Sequence, residues 1–159
     1  MARKLLARTV RKFAEQRALF LEKLDSPEHW MALNDLCELE SDWARALVGA
    51  KKDGGIRSAM RSAAKPSLAP AAALEAAEHL ASAEKWQKQI ASFATGSGEG
   101  FVAMGYVDEL MLARAWMLVA AASNAASAAK DLCRMLHRDR EDLEANQKRD
   151  LEKLRSALK

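Results

Sequence analysis

The side chains in this chain that could do chemistry fall into a few groups, and none has the spacing of a complete reaction centre. His29, His79 and His137 are the only histidines, and each falls on a different predicted element. A carboxylate-bridged di-metal bundle needs Glu-x-x-His pairs facing inward from two helices. That spacing is absent, because Glu75 and Glu78 precede His79 by four residues and by one. Cys37 and Cys133 lie far apart, with neither a disulfide framework nor metal-ligand spacing. They read as two small core residues of a protein kept in a reducing compartment. Gly96, Gly98 and Gly100 suggest a phosphate-cradling loop, but no Gly-Lys-Ser/Thr follows to bring a lysine and a magnesium-binding hydroxyl. The segment also follows a predicted helix, whereas the dinucleotide fingerprint follows a strand. With no Gly-x-Ser-x-Gly elbow either, the expectation is a protein that is not an enzyme, with no metal, cofactor or small-molecule substrate.

The remaining chemistry is charge. Residues 1–14 carry Arg3, Lys4, Arg8, Arg11 and Lys12 and no acid. Residues 25–44 carry Asp25, Glu28, Asp35, Glu38, Glu40 and Asp42 and no base. Lys51, Lys52, Arg57, Arg61 and Lys65 gather around a glycine pair, and Arg134, Arg138 and Arg140 form a third basic cluster. Such faces attract nucleic-acid backbone by releasing counterions, without reading bases. The aromatic residues sit at core-like spacings, so base stacking is not indicated. The first basic block has three open readings: an external polyanion, a lipid surface or presequence, and pairing with the acidic block. If the first two helices fold back at Ser26, Arg11 and Lys12 come level with Glu40 and Asp42, each exposed pair giving only about 0–1 kcal/mol. For 51–65, an external anionic partner and a solvated face stand equal.

These residues must be positioned by helices. Leu6, Val10, Phe13, Phe20 and Leu24 form one helical stripe over 2–24, with Arg17 in its gap packing its stem while its head reaches out. Ser26-Pro27 suits a helix start, and a second helix from Pro27 to about Ala50 presents Trp30, Leu33, Leu36, Cys37, Trp43, Ala44 and Leu47. A short basic helix follows over Ile56–Lys65 before two prolines break the chain. A third long helix over Pro70–Ala94 buries Leu74, Ala77, Leu80, Ala83, Trp86, Ile90 and Phe93. The glycine-rich stretch 95–100 reads as a surface loop. From Phe101 to Leu136 one further helix presents Leu110, Met111, Met117, Leu118, Ala121, Ala125, Ala128, Leu132 and Met135. The alanine-rich runs near 71–83 and 113–129 predict two helices packed closely together. The charged tail could continue the preceding helix or dock on the bundle or on a second chain.

With 159 residues, half of them apolar and 30% charged, the chain fits one globular domain. It is long enough to bury about 70% of the surface its unfolded form exposes. The longest apolar region, 110–129, is interrupted by Arg114 and by Ser and Asn, which argues against a membrane span. No secretory signal is visible, so the expected location is the cytoplasm. The fold expected is all-α: an antiparallel helical bundle of four main helices plus a short basic helix over 1–137, with a charged C-terminal helical extension over 138–159. Tryptophans 30, 43, 86 and 116 are expected in its core. The function expected is that of a subunit in a larger assembly, contacting RNA or DNA backbone through Lys51, Lys52, Arg57, Arg61, Lys65, Arg134, Arg138 and Arg140. The alternative is a protein-only adaptor, chaperone or dimerisation module that binds other subunits or itself through the acidic second helix and the tail.

Overall fold

The computed structural model describes the backbone of residues 2–27, 29–93, 98–121, 125–138 and 140–159, and their side chains except those of 2–5, 93 and 98–106. The described residues are helical and contain no strand. In order they form α1 (Ala2–Glu22), α2 (His29–Leu47), α3 (Gly55–Ala63), α4 (Pro70–Phe93), α5 (Gly98–Ala121), α6 (Ala126–Arg138) and α7 (Ala145–Ala157). Short 3-10 turns occupy Lys23–Asp25, Lys52–Gly54 and Arg140–Asp142. No helix among the described residues is long and apolar enough to cross a membrane.

The helices form a bundle. The most extensive interface joins α4 to α5, as the alanine-rich runs predict. Ala73, Ala76, Ala77 and Ala83 on α4, and Ala113, Ala115 and Ala121 on α5, are all essentially buried, and side chains this small let two helix axes approach. α2 packs between α4 and α1, while α3, α6 and α7 all pack on α5. Surrounded in this way, α5 is buried on several sides, with Leu110, Leu112, Met117 and Leu118 all inside and only Asp108, Glu109 and Arg114 as charges among its described side chains. α1 is the peripheral helix. Its contacts are chiefly with α2 and the connecting turn, and none of its residues 6–22 is fully buried.

Four expectations need correction. Leu74, expected among the buried residues of the third long helix, is exposed, and Ala73, Ala76 and Ala77 fill the interior there. Trp30 is 56% exposed and does not supply the core; it stands in the first turn of α2, at the corner, and Leu33, Leu36 and Cys37 fill the interior one turn further in. The segment 101–136 is not one helix but α5 and α6, with 122–124 outside the described residues. A helical phase carried across that junction is lost, so Ala128 and Met135 are exposed while Ala129, Leu132, Cys133 and Leu136 are buried. Gly98 and Gly100 stand in the first turn of α5 rather than in a loop, whereas Gly96 lies outside the described residues. Glycine costs about 1 kcal/mol in a helix interior but less in a first turn, whose N–H groups have no intrahelical acceptor. The tail takes one of its expected alternatives, docking on the bundle, and does not prolong α6. The chain turns at Arg140–Asp142 and starts α7 with a capping box, in which the Glu144 N–H donates to Gln147 Oε1 at 2.8 Å. Leu143, Leu151 and Leu154 then join the same buried cluster as the other helices.

Candidate functional site

The basic segment 51–65 is built by two glycine-dependent turns. Gly49 closes α2 with φ +69°, and Gly55 opens α3 with φ +61°, in the left-handed region that side chains rarely enter. At Gly54 a Cβ would meet the Ser58 Cβ at 2.4 Å. Arg45 steadies the loop by donating to the Lys52 carbonyl at 3.3 Å while pairing with Asp42 at 3.0 Å. Lys51 and Lys52 are held exposed on this loop, and Arg61 and Lys65 are exposed on and just beyond α3. None of these four cations has an ion-pair partner among the described residues. Arg57 differs. It is half-buried, lies 3.7 Å from Glu109 on α5 and 3.9 Å from Glu144 at the start of α7, and so ties α3 to both.

The third cluster is largely engaged by the chain's own acids. Arg134 pairs with Asp131 at 2.9 Å and Arg140 with Glu152 at 3.3 Å. Arg138 makes no ion pair among the described residues, but it lines a shallow groove of about 410 Å³ with Arg140, His137, Glu141 and Asp142, where both signs of charge meet. The eight predicted cations therefore divide. Lys51, Lys52, Arg61 and Lys65 are exposed with no ion-pair partner among the described residues, although exposed Asp53 shares their loop; Arg138 likewise has none, while Arg57, Arg134 and Arg140 have carboxylate partners. On α1, Arg11 pairs with Glu15 at 3.3 Å on the exposed face, not with the acids of α2; Arg3 and Lys4 lie outside the described side chains.

The strongest polar cluster is one the sequence reading did not assemble. Arg17 turns inward instead of reaching out, and its Nε donates to Glu40 Oε1 at 2.6 Å. His79 Nδ1 lies 2.5 Å from Glu40 Oε2. An ionised carboxylate only accepts, so Nδ1 carries the proton and donates. Glu40 is fully buried, and Trp43 covers the site, stacked at 4.0 Å on His79 and at 5.7 Å on Phe13. Burial alone pushes the Glu40 carboxyl up, but the hydrogen bonds from His79 and Arg17, together with their charges, hold it below its ordinary value. This cluster joins α1, α2 and α4; its work is to dock α1. A sequence cue existed: Glu40 falls on the same stripe as Leu33, Leu36, Cys37 and Ala44, which faces the core.

Neither thiol is placed for nucleophilic chemistry. Burial, aided by the charges of Glu38 and Glu40, pushes Cys37 up to about 12, and its thiol donates to Gln87 Oε1 at 3.2 Å. Burial pushes Cys133 up to about 11 against the opposing charge of Arg155. A thiol reacts as thiolate, so both are inert at neutral pH. A second groove, about 590 Å³ between α4 and α5, is walled by the stems of long charged and polar side chains; its buried Glu84 binds Lys88 at 2.5 Å and faces Arg114 at 3.7 Å. No group of three His, Cys, Asp or Glu side chains among the described residues converges as metal ligands do. Comparison with protein-family models, with curated proteins and with solved structures found no match.

Proposed function

We propose that this protein is a non-enzymatic subunit of a larger assembly that contacts nucleic-acid backbone, without sequence preference, through the patch Lys51, Lys52, Arg61 and Lys65. The reading rests on that patch being exposed, glycine-shaped and free of acid partners among the described residues. In this reading the four longest helices α1, α2, α4 and α5 are an antiparallel scaffold, and Arg57 positions α3 on it. Arg134, Arg138 and Arg140 contribute secondarily, because their neighbourhood is already part-neutralised. The test is anisotropy of a fluorescent single-stranded RNA and a duplex DNA at low salt. Binding to both, weakened by Arg61→Glu with Lys65→Glu, supports the proposal; no binding of either overturns it.

A second reading, a protein-only adaptor or dimerisation module, draws on exposed Trp30 and Met31 beside the acids of α2. The tail has less to offer such a partner, since the leucines of α7 are spent on the core.

A further inference from the structure

The register of the α1–α2 hairpin brings further cations to the end of α2 from which the basic loop departs. Phe13 stacks on Trp43 and Arg17 bonds Glu40, so rising residue numbers on α1 meet falling numbers on α2. One turn before Phe13, α1 is level with the last turn of α2, which ends at Leu47. Two turns before Phe13, it is level with the 48–50 turn that leads into Lys51 and Lys52. Arg8 and Lys12 stand on the side of α1 turned away from α2, and both are exposed. Arg11 beside them is held by Glu15, and Arg45 on α2 by Asp42. That leaves Arg8, Lys12, Lys51 and Lys52, none with an ion-pair partner among the described residues, against the loop's Asp53. Exposed Asp35 and Glu38 belong to the other half of α2, and α2 separates α1 from the exposed Glu75 and Glu78 of α4.

We propose that nucleic-acid backbone bound at Lys51 and Lys52 continues over the N-terminal half of α1, where Arg8 and Lys12 neutralise further phosphates. Packed helix axes lie about 8–10 Å apart, so a strand leaving the loop crosses about one helix width to meet them. A polyanion asks only for exposed positive charge along its path. A lipid surface fits α1 less well, because a membrane-surface helix inserts its apolar face. Here that face is taken up inside the protein: Phe13 stacks on Trp43, and Phe20 and Leu21 pack against the core. The inference rests on the nucleic-acid reading above and enlarges its surface by two residues outside the 51–65 segment.

Anisotropy titrations of the full chain with a fluorescent single-stranded RNA, repeated across a salt series, test it. Arg8→Ala/Lys12→Ala should bind more weakly at low salt and lower the slope of log affinity against log salt by about 1.4, the value for two phosphates. Lys153→Ala/Lys159→Ala removes equal charge from exposed sites on and just beyond α7 and should leave that slope unchanged. Circular dichroism melting should match wild type for all of these variants, since every substituted side chain is exposed. An α1 variant with the wild-type slope, or an α7 pair that lowers the slope equally, would overturn the proposal. If Lys51→Ala/Lys52→Ala lowers the slope while the α1 variant does not, the loop reading stands and its extension alone fails. A wild type that binds no RNA overturns both; if it instead sediments with vesicles containing phosphatidylserine, the α1 face belongs to a lipid surface.

Discussion

Replacing Glu40 by Gln isolates the cluster that docks α1. Two charge-assisted hydrogen bonds end on this buried carboxylate, from Arg17 and from His79. Each such bond contributes about 1.5–3 kcal/mol, but the Arg17 side chain is 37% exposed, so its share is reduced by solvent. Gln keeps the volume and one acceptor oxygen, yet it turns an amide N–H₂ toward one of the two donors. The expected loss at pH 7 is about 2–3 kcal/mol. The same carboxyl predicts a pH dependence. Its folded-state value lies below the ordinary 4.5, so as pH falls the unfolded chain takes the proton first. Its contribution is therefore full above the ordinary carboxylate range and is lost as pH drops through the folded value. Urea denaturation, followed by circular dichroism and tryptophan fluorescence from pH 7 to pH 3 at roughly one-unit steps, measures both effects. The gap between wild type and E40Q should close with acidification. A gap under about 0.5 kcal/mol at pH 7, or one that persists unchanged to the acid limit, would refute the reasoning.

Arg17→Ala should free α1 more than it unfolds the bundle, because no residue of 6–22 is fully buried; amide exchange should rise across α1 and stay unchanged in α4 and α5. Trp43→Phe should cost little beside Trp43→Ala, expected at about 3–5 kcal/mol, since Phe keeps the stack on His79 and removes a buried indole N–H that has no acceptor among the described residues; thermal denaturation compares the two. Leu80→Ala, at a site 1% exposed, should lose about 2–5 kcal/mol in the same denaturant assay. Cys37 and Cys133, both buried with raised values, should react with a thiol reagent only as fast as the protein opens, and prompt labelling of native protein would contradict their placement.

The helices were legible where one face meets one partner. α2 and α4 each bury a stripe, and their spacing located them to within a few residues. α5 defeated the same reading, because helices on several sides bury its apolar residues in nearly every direction and leave little phase to follow into α6. The basic patches were visible as composition, but their availability was not. Whether Arg57, Arg134 or Arg140 finds an acid depends on α5 and α7 arriving beside it, a tertiary fact with no local trace. The fold-back of α1 on α2 was readable from apolar stripes, yet the pairing chosen was Arg17 with Glu40 and not Arg11 or Lys12. Close to the fold-back, Arg17 lies in the gap of α1's apolar stripe, within reach of the one α2 acid that faces inward. Trp30 shows the converse error: apolar character set an expectation that its place at a corner overruled.

The salt dependence of polyanion binding tests the central functional claim most directly. The logarithm of affinity for single-stranded RNA plotted against the logarithm of salt concentration has a slope of about −0.7 per phosphate neutralised. Comparing wild type with the variant carrying Lys51→Ala, Lys52→Ala, Arg61→Ala and Lys65→Ala, the slope should shrink by about 3, whereas Arg134→Ala with Arg140→Ala should change it little. Equal slopes for wild type and the four-site variant would contradict the account, because binding would then run through some other face of the protein.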